Sequence, residues 1–422
     1  MSSPSRQRLL DALAHRQPDR IPIDFGGSAV TGVHVSCVAA LRDHYCLEQR
    51  PVQVHEPYQM LGFIDEDLRH AMGLDVTGVF PRNTMFGFPN SQWKEWDFRG
   101  QTVLVSTDFR TTVEPNGDIL IYPEGDMSAP PSGRMPLGSA FFDSIVRQPP
   151  FNDDTLNVED NFEEFSPLKD ADLAHVRSSV SAAQAKHCGI LATFGGTAFG
   201  DIALVPAPFL KAPKGIRDVA EWYMSTTSRR AYIHKIFEYQ CGIGLQNLAK
   251  IHATIGDSVD AVFLCGTDFG TQTSQFCSAR TFNDLWFPYY KAVNDWVHAN
   301  TQWKCFKHSC GSVEKLLESF IAAGFDIINP VQCSATGMDP AALKARYGDR
   351  LVFWGGGVDT QKTLPFGTPE EVRVEVLRRC EIFSPGGGFV FDSIHNIQAS
   401  TPVANIVAMI DAVHEFNGAK NG

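Results

Sequence analysis

The residues best suited to chemistry stand in two short stretches. FKHSCGSVEKLL (306–317) sets His308 and Cys310 two apart at the end of an apolar run. Alternate residues of a strand face the same way. The pair can therefore offer one cation an imidazole nitrogen and a thiolate together, donors well matched to zinc. An isolated His-x-Cys is more often a part-buried histidine beside an ordinary core cysteine. The C-terminal end of a strand, where barrel enzymes build their sites, favours the ligand reading here. GGGFVFDSIHNIQASTPVANI (386–406) places Asp392, His395 and Asn396 at the end of another strand. Taken alone, His395 could be a structural histidine; on the same rim as His308 and Cys310 it becomes a candidate third ligand.

Other strand ends carry further candidates. Asp268 in CGTDFGTQ and Asp24 in DFGG can act as acid/base groups or orient a ligand, or simply cap turns. Asp359, Asn396 and Cys333 are candidates for substrate contacts, and Cys333 in NPVQCSATGM is also an alternative metal ligand. GGGVDT (355–360) lacks the G-x-G-x-x-G spacing that opens a helix over a phosphate. A tight bend after a strand accounts for it.

The elements that must position these residues alternate between strand and helix. Eight apolar runs read as strands: Ile21–Phe25, Val76–Phe80, Ile190–Phe194, Ala261–Cys265, Lys304–Lys307, Ile327–Pro330, Leu351–Trp354 and Gly388–Phe391. Between them lie amphipathic segments such as Ser312–Ala323, with Val313, Leu316, Leu317 and Phe320 at helical spacing. Eight strand–helix units predict an α/β fold of the (β/α)₈ TIM-barrel type, one domain over 1–422. Residues 26–74 add helical segments around Val35–Tyr45 and Ile64–Met72. Residues 81–165 alternate apolar with polar residues and carry an Asn116-Gly117 turn signal, which predicts a β-hairpin or meander inserted after the second strand.

Composition narrows the partners. The 422 residues carry a formal charge of −12, and no Lys/Arg run reaches five, so a nucleic-acid groove has little electrostatic support. There is no 18-residue apolar run to cross a membrane and no signal-peptide core at the N-terminus. Ten scattered cysteines read as reduced thiols of a cytoplasmic protein.

Several of these stretches are also recognisable together. HSCG, AGFDIINPVQ (323–332), GDRLVFWGGGVDT (348–360), GTPEEVRVEV (367–376) and HNI-x4-P-x2-NI (395–406) resemble the uroporphyrinogen-decarboxylase superfamily. The resemblance covers about residues 180–415, and RIPIDFGG (20–27) resembles the superfamily's first strand. It implies a (β/α)₈ barrel. The superfamily's decarboxylases hold substrate carboxylates with an Arg-rich RQAGR-type motif; this chain has DFGGSAVTGV (24–33) there, without arginine. The zinc-dependent corrinoid (methylcobamide) methyltransferase branch uses His-x-Cys plus a late Cys, and that late Cys falls on His395. The resemblance thus implies Zn²⁺ held by His308, Cys310 and His395. It implies methyl transfer between a small methoxylated or methylated compound and a corrinoid, with O-demethylation favoured because the site carries one negative charge fewer. No D-x-H-x-x-G corrinoid signature occurs, so the cobalamin must come on a partner protein. The alternatives are a decarboxylase-like lyase acting on a small carboxylate, a methylcorrinoid:thiol methyltransferase and a non-catalytic barrel that binds a small molecule.

Overall fold

The computed structural model describes residues 3–419. Seven parallel strands form the central sheet in the order Phe389–Val390, Val352–Trp354, Ile327–Asn329, Lys304–His308, Ala261–Cys265, Gly189–Thr193 and Val76–Val79. Most are rich in apolar residues because parallel strands between helices are buried on both faces, whereas Lys304–His308 also carries two lysines and its histidine. The eighth expected strand, Ile21–Phe25, is reduced to a parallel bridge between Ile23 and Phe391. Its Pro22 has no N–H to give a ladder; its carbonyl accepts from the Phe391 amide at 2.8 Å. The Asp75 amide bonds the Ile23 carbonyl at 2.9 Å, so this segment lies between the sheet's two edge strands and curls it towards a barrel.

An inner core runs along the sheet through Val76, Leu191, Ala261, Phe306, Ile327, Trp354 and Val390. Leu9 and Leu13 of the helix Pro4–Leu13 plug its lower end. That helix starts sharply because the Ser3 hydroxyl accepts from the Arg6 amide and a proline follows at the first turn. Helices such as Arg230–Ile255, Phe287–Asn300 and Pro369–Phe383 cover the outside. The last is fixed by a capping box between Thr368 and Glu371.

The region before the central strand Gly189–Thr193 holds two antiparallel-rich sheets. One is ordered Leu61–Gly62, Val52–Glu56, Gln101–Ser106, Trp93–Phe98; the other Thr111–Val113, Ile119–Ile121, Gly133–Met135, Asp143–Ser144. Arg99 and Gly100, both at positive φ (53° and 87°), make the two-residue turn of the first. Asn116 and Gly117 lie in the turn of the second, where Gly117 has φ 88°. The strand Val52–Glu56 is absent from the sequence expectation. It lies between two helices, Val35–His44 and Glu66–Ala71, and pairs in parallel with the distant Gln101–Ser106, a partner that local patterning cannot announce.

Candidate metal centre

His308 ends the strand Lys304–His308 two residues beyond Phe306, so strand alternation carries it from the inner core to the mouth. Cys310 follows through Ser309, and Gly311 turns the chain at φ 85°. A Cβ at Gly311 would lie 2.5 Å from the Gly270 carbonyl carbon, so only glycine lets the two mouth loops touch. His395 arrives from the other side of the sheet. Its ring centroid lies 5.4 Å from that of His308, and His308 Nε2 lies 3.4 Å from Cys310 Sγ. One ligand atom from each of the three falls within 4.8 Å of the others, the spacing a single cation needs. Cys333 is not in the group.

The surroundings prepare these donors unequally. His308 Nδ1 lies 2.6 Å from Asn329 Oδ1, and Asn329 Nδ2 donates to the Trp354 carbonyl at 3.0 Å. The amide orientation makes Oδ1 the acceptor, so Nδ1 carries the proton and Nε2 presents its lone pair to Cys310. Burial, outweighing the Asn329 bond, lowers the His308 pKa to about 4; burial and the neighbouring His308 lower His395 to about 4. Both rings are neutral at pH 7, as ligands must be. Burial, with Asp268 beside it, raises the Cys310 thiol well above its usual range. At His395 the Asn396 amide donates to Nδ1 at 2.8 Å, which puts the proton of the neutral ring on Nε2. Ligation by Nε2 therefore requires a tautomer change and loss of that bond, so His395 is the less prepared donor. The donor set and its spacing fit zinc, with this one adjustment.

Asp268 accepts from the Cys310 amide at 2.6 Å and stands 3.8 Å from His308 Nε2. It lines a cavity of about 570 Å³ together with His308 and His395. The other candidates lie elsewhere. Asp24 is fully buried, accepting from the Gly27 amide and Trp354 Nε1, both at 2.9 Å; burial outweighs these donors and raises its pKa to about 6. It does not line the cavity. Asn396 accepts from the Gly32 amide and donates to the Ala29 carbonyl and Gln59, tying the last strand's loop to the first. Asp359 caps the Gln361 amide at 2.7 Å. Cys333 borders a separate open groove beside Arg378 and Arg379, and burial pushes its thiol up to about 12.

Residues that the sequence reading passed over also face the cavity. Glu56, Asp201, His55 and Arg217 line it, amid aromatic walls that include Phe80, Phe263 and Trp222. Asp201 follows a strand as Asp268 does, so its loop position was the available signal. Glu56 belongs to the unexpected strand and gave none.

Residues 148–416 match the family model described as uroporphyrinogen decarboxylase (URO-D). The chain belongs to the uroporphyrinogen decarboxylase family. Uroporphyrinogen decarboxylase of Psychromonas ingrahamii is 37% identical over 89 residues, 20% of this chain and 24% of that protein. The enzyme of Methylibium petroleiphilum is 32% identical over 97 residues, 21% of this chain and 25% of the relative. The aligned stretch thus spans about a quarter of these relatives' length. Among solved structures, a methyltransferase from Methanosarcina mazei superposes with a TM-score of 0.54 at 13% identity, covering 98% of both chains. At that identity the likeness concerns the fold, the barrel of the uroporphyrinogen decarboxylase family. No helix among the described residues is long and apolar enough to cross a membrane.

Proposed function

We propose that this protein is a zinc-dependent methyltransferase of the corrinoid-dependent branch, moving a methyl group between a small methoxylated or methylated compound and a corrinoid on a partner protein. The favoured direction is O-demethylation. The observation that carries this reading is the convergence of His308, Cys310 and His395 beside one largely apolar cavity of small-molecule size. Zinc held there would polarise the methylated oxygen as a Lewis acid, and the corrinoid would take up the methyl group.

The chain's own groups prepare that chemistry. Asn329 holds His308 in the ligand tautomer. Asp268 positions the Cys310 backbone and faces the cavity, so its carboxyl can hold the proton that a departing alkoxide or phenolate takes up. Asp24 and Asn396 brace the rim and do not touch substrate in this reading. Residues 1–422 are taken as one barrel domain, with 81–165 an insertion that covers the mouth.

A decarboxylase-like reaction on a carboxylate asks for a free cation in the cavity. Among the described lining residues Arg217 is the one lysine or arginine, and it is spent on Glu163, Glu164 and the Lys214 carbonyl. That argues for methyl transfer. The test combines metal analysis with spectral conversion of Co(I) cobalamin to the methyl form by methoxyaromatics, methylamines, methylthiols and methanol. The expected result is about one zinc per chain, lost in His308→Ala and Cys310→Ala, and methylation by at least one donor class. A metal-free protein that methylates nothing overturns the reading.

A further inference from the structure

Four carboxyls line the cavity, Glu56, Glu164, Asp201 and Asp268, and of these Glu164 pairs with Arg217. Glu56, buried, receives the Tyr58 amide on one oxygen at 2.9 Å and the Gln59 amide on the other at 2.8 Å. Each oxygen keeps an open acceptor site. Asp201 receives the Ala203 amide on Oδ1 at 3.0 Å, and its Oδ2 accepts from no described residue. Both line the same cavity as Asp268. Arg217 is consumed by its two glutamates. Lys307, behind the strand and fully buried, gives its ammonium to the carbonyls of Thr267 and His308, each at 2.6 Å. His55, next to Glu56 and 8% exposed, lines the cavity with a buried Nδ1 that has no hydrogen-bond partner.

Burial makes a charged carboxyl costly and pushes Glu56 up to about 7; desolvation, outweighing the Ala203 amide and the charge of Lys307, pushes the half-buried Asp201 up to about 6. A ligand cation beside Glu56 would supply a charge that no described group gives that carboxyl. The cavity walls are suited to one: Phe80, Phe165, Phe209, Phe263 and Trp222 present aromatic surface, which attracts ammonium groups that have lost their water. A neutral apolar ligand would fill the space and leave the carboxyls unanswered.

We propose that the cavity binds a methylated ammonium group, quaternary or protonated, against Glu56 and Asp201 between these rings. The inference rests on the cavity being the substrate site proposed above. It narrows the methyl donor to methylated amines and to methyl ethers that carry an ammonium centre.

Binding to the full zinc-loaded chain tests this without turnover. Phenyltrimethylammonium and its neutral isostere tert-butylbenzene are titrated by calorimetry. The cation should bind roughly tenfold or more tighter than the isostere. Glu56→Gln and Asp201→Asn should each weaken the cation by about tenfold while leaving the isostere unchanged, which also shows that the variants are folded. Near pH 6.5 cation binding should release protons, seen as a dependence of the heat on the buffer, and Glu56→Gln should reduce that release. Equal or tighter binding of tert-butylbenzene, or no effect of both substitutions, overturns the proposal. The Co(I) assay reads the other question separately: transfer from neutral methoxyarenes without cation binding would leave the methyltransferase standing and remove the ammonium ligand.

Discussion

Asn329→Ala isolates the contribution of ligand orientation to the metal centre. Asn329 is fully buried, with its carbonyl oxygen 2.6 Å from His308 Nδ1 and its amide on the Trp354 carbonyl. Truncation frees the ring to rotate and to place its proton on either nitrogen. Loss of such a supporting bond lowers metal affinity by roughly 10- to 100-fold, about 1.4–2.7 kcal/mol. The Trp354 carbonyl loses its partner at the same time, which costs about 1–3 kcal/mol of stability whether or not metal is bound. The two effects are read separately, zinc affinity by competition with a chelator at fixed pH and stability by urea unfolding of the metal-free protein. Asn329→Asp restores the acceptor for His308 but not the donor to Trp354, so it should recover zinc affinity while remaining destabilised. Zinc affinity of Asn329→Ala within about twofold of the parent, alongside a clear loss in His308→Ala, would refute the orientation argument.

The remaining expectations concern neighbouring groups. His395→Ala should weaken zinc binding less than His308→Ala, because its Nδ1 is engaged by the Asn396 amide, and Cys333→Ser should leave it unchanged; chelator competition ranks all three. Gly311→Ala puts a methyl 2.5 Å from the Gly270 carbonyl carbon at φ 85°, and should cost at least about 2 kcal/mol in urea unfolding together with a loss of zinc affinity. Glu56 has a folded pKa of about 7 against 4.5 for the ordinary group, so the folded state binds the extra proton. Its contribution to stability is therefore greatest below pH 4.5 and is lost as pH rises towards 7, by about 3 kcal/mol at most. The stability of Glu56→Gln relative to the parent should rise between pH 5 and 8, and a flat difference would show that burial does not perturb this carboxyl.

Local pattern was enough for much of this molecule. Apolar-rich runs ending in polar residues marked most of the central strands because a parallel strand is buried on both faces. His308 and Cys310 were legible for a similar reason: two residues apart at a strand end, their relationship is set by the backbone itself. His395 lies 87 residues beyond His308 in the chain, and only the curl of the sheet brings it alongside. The resemblance in its motif named it, but its tautomer depends on the Asn396 amide and could not be read from spacing. Asp24, Asn396, Asp359 and Cys333 all follow strands, as His308 does. The tertiary structure turns them into braces, a turn cap and a groove residue by deciding which donors reach them. Glu56 and Asp201 show the converse. The loop position of Asp201 was visible and the strand of Glu56 was not, and either carboxylate becomes a recognition element only when packing takes it out of water. Local pattern supplied the strands and the first two metal-ligand candidates. The sheet's long-range closure decided the third donor, the acidic cavity and its character, since burial depends on residues far apart in the chain.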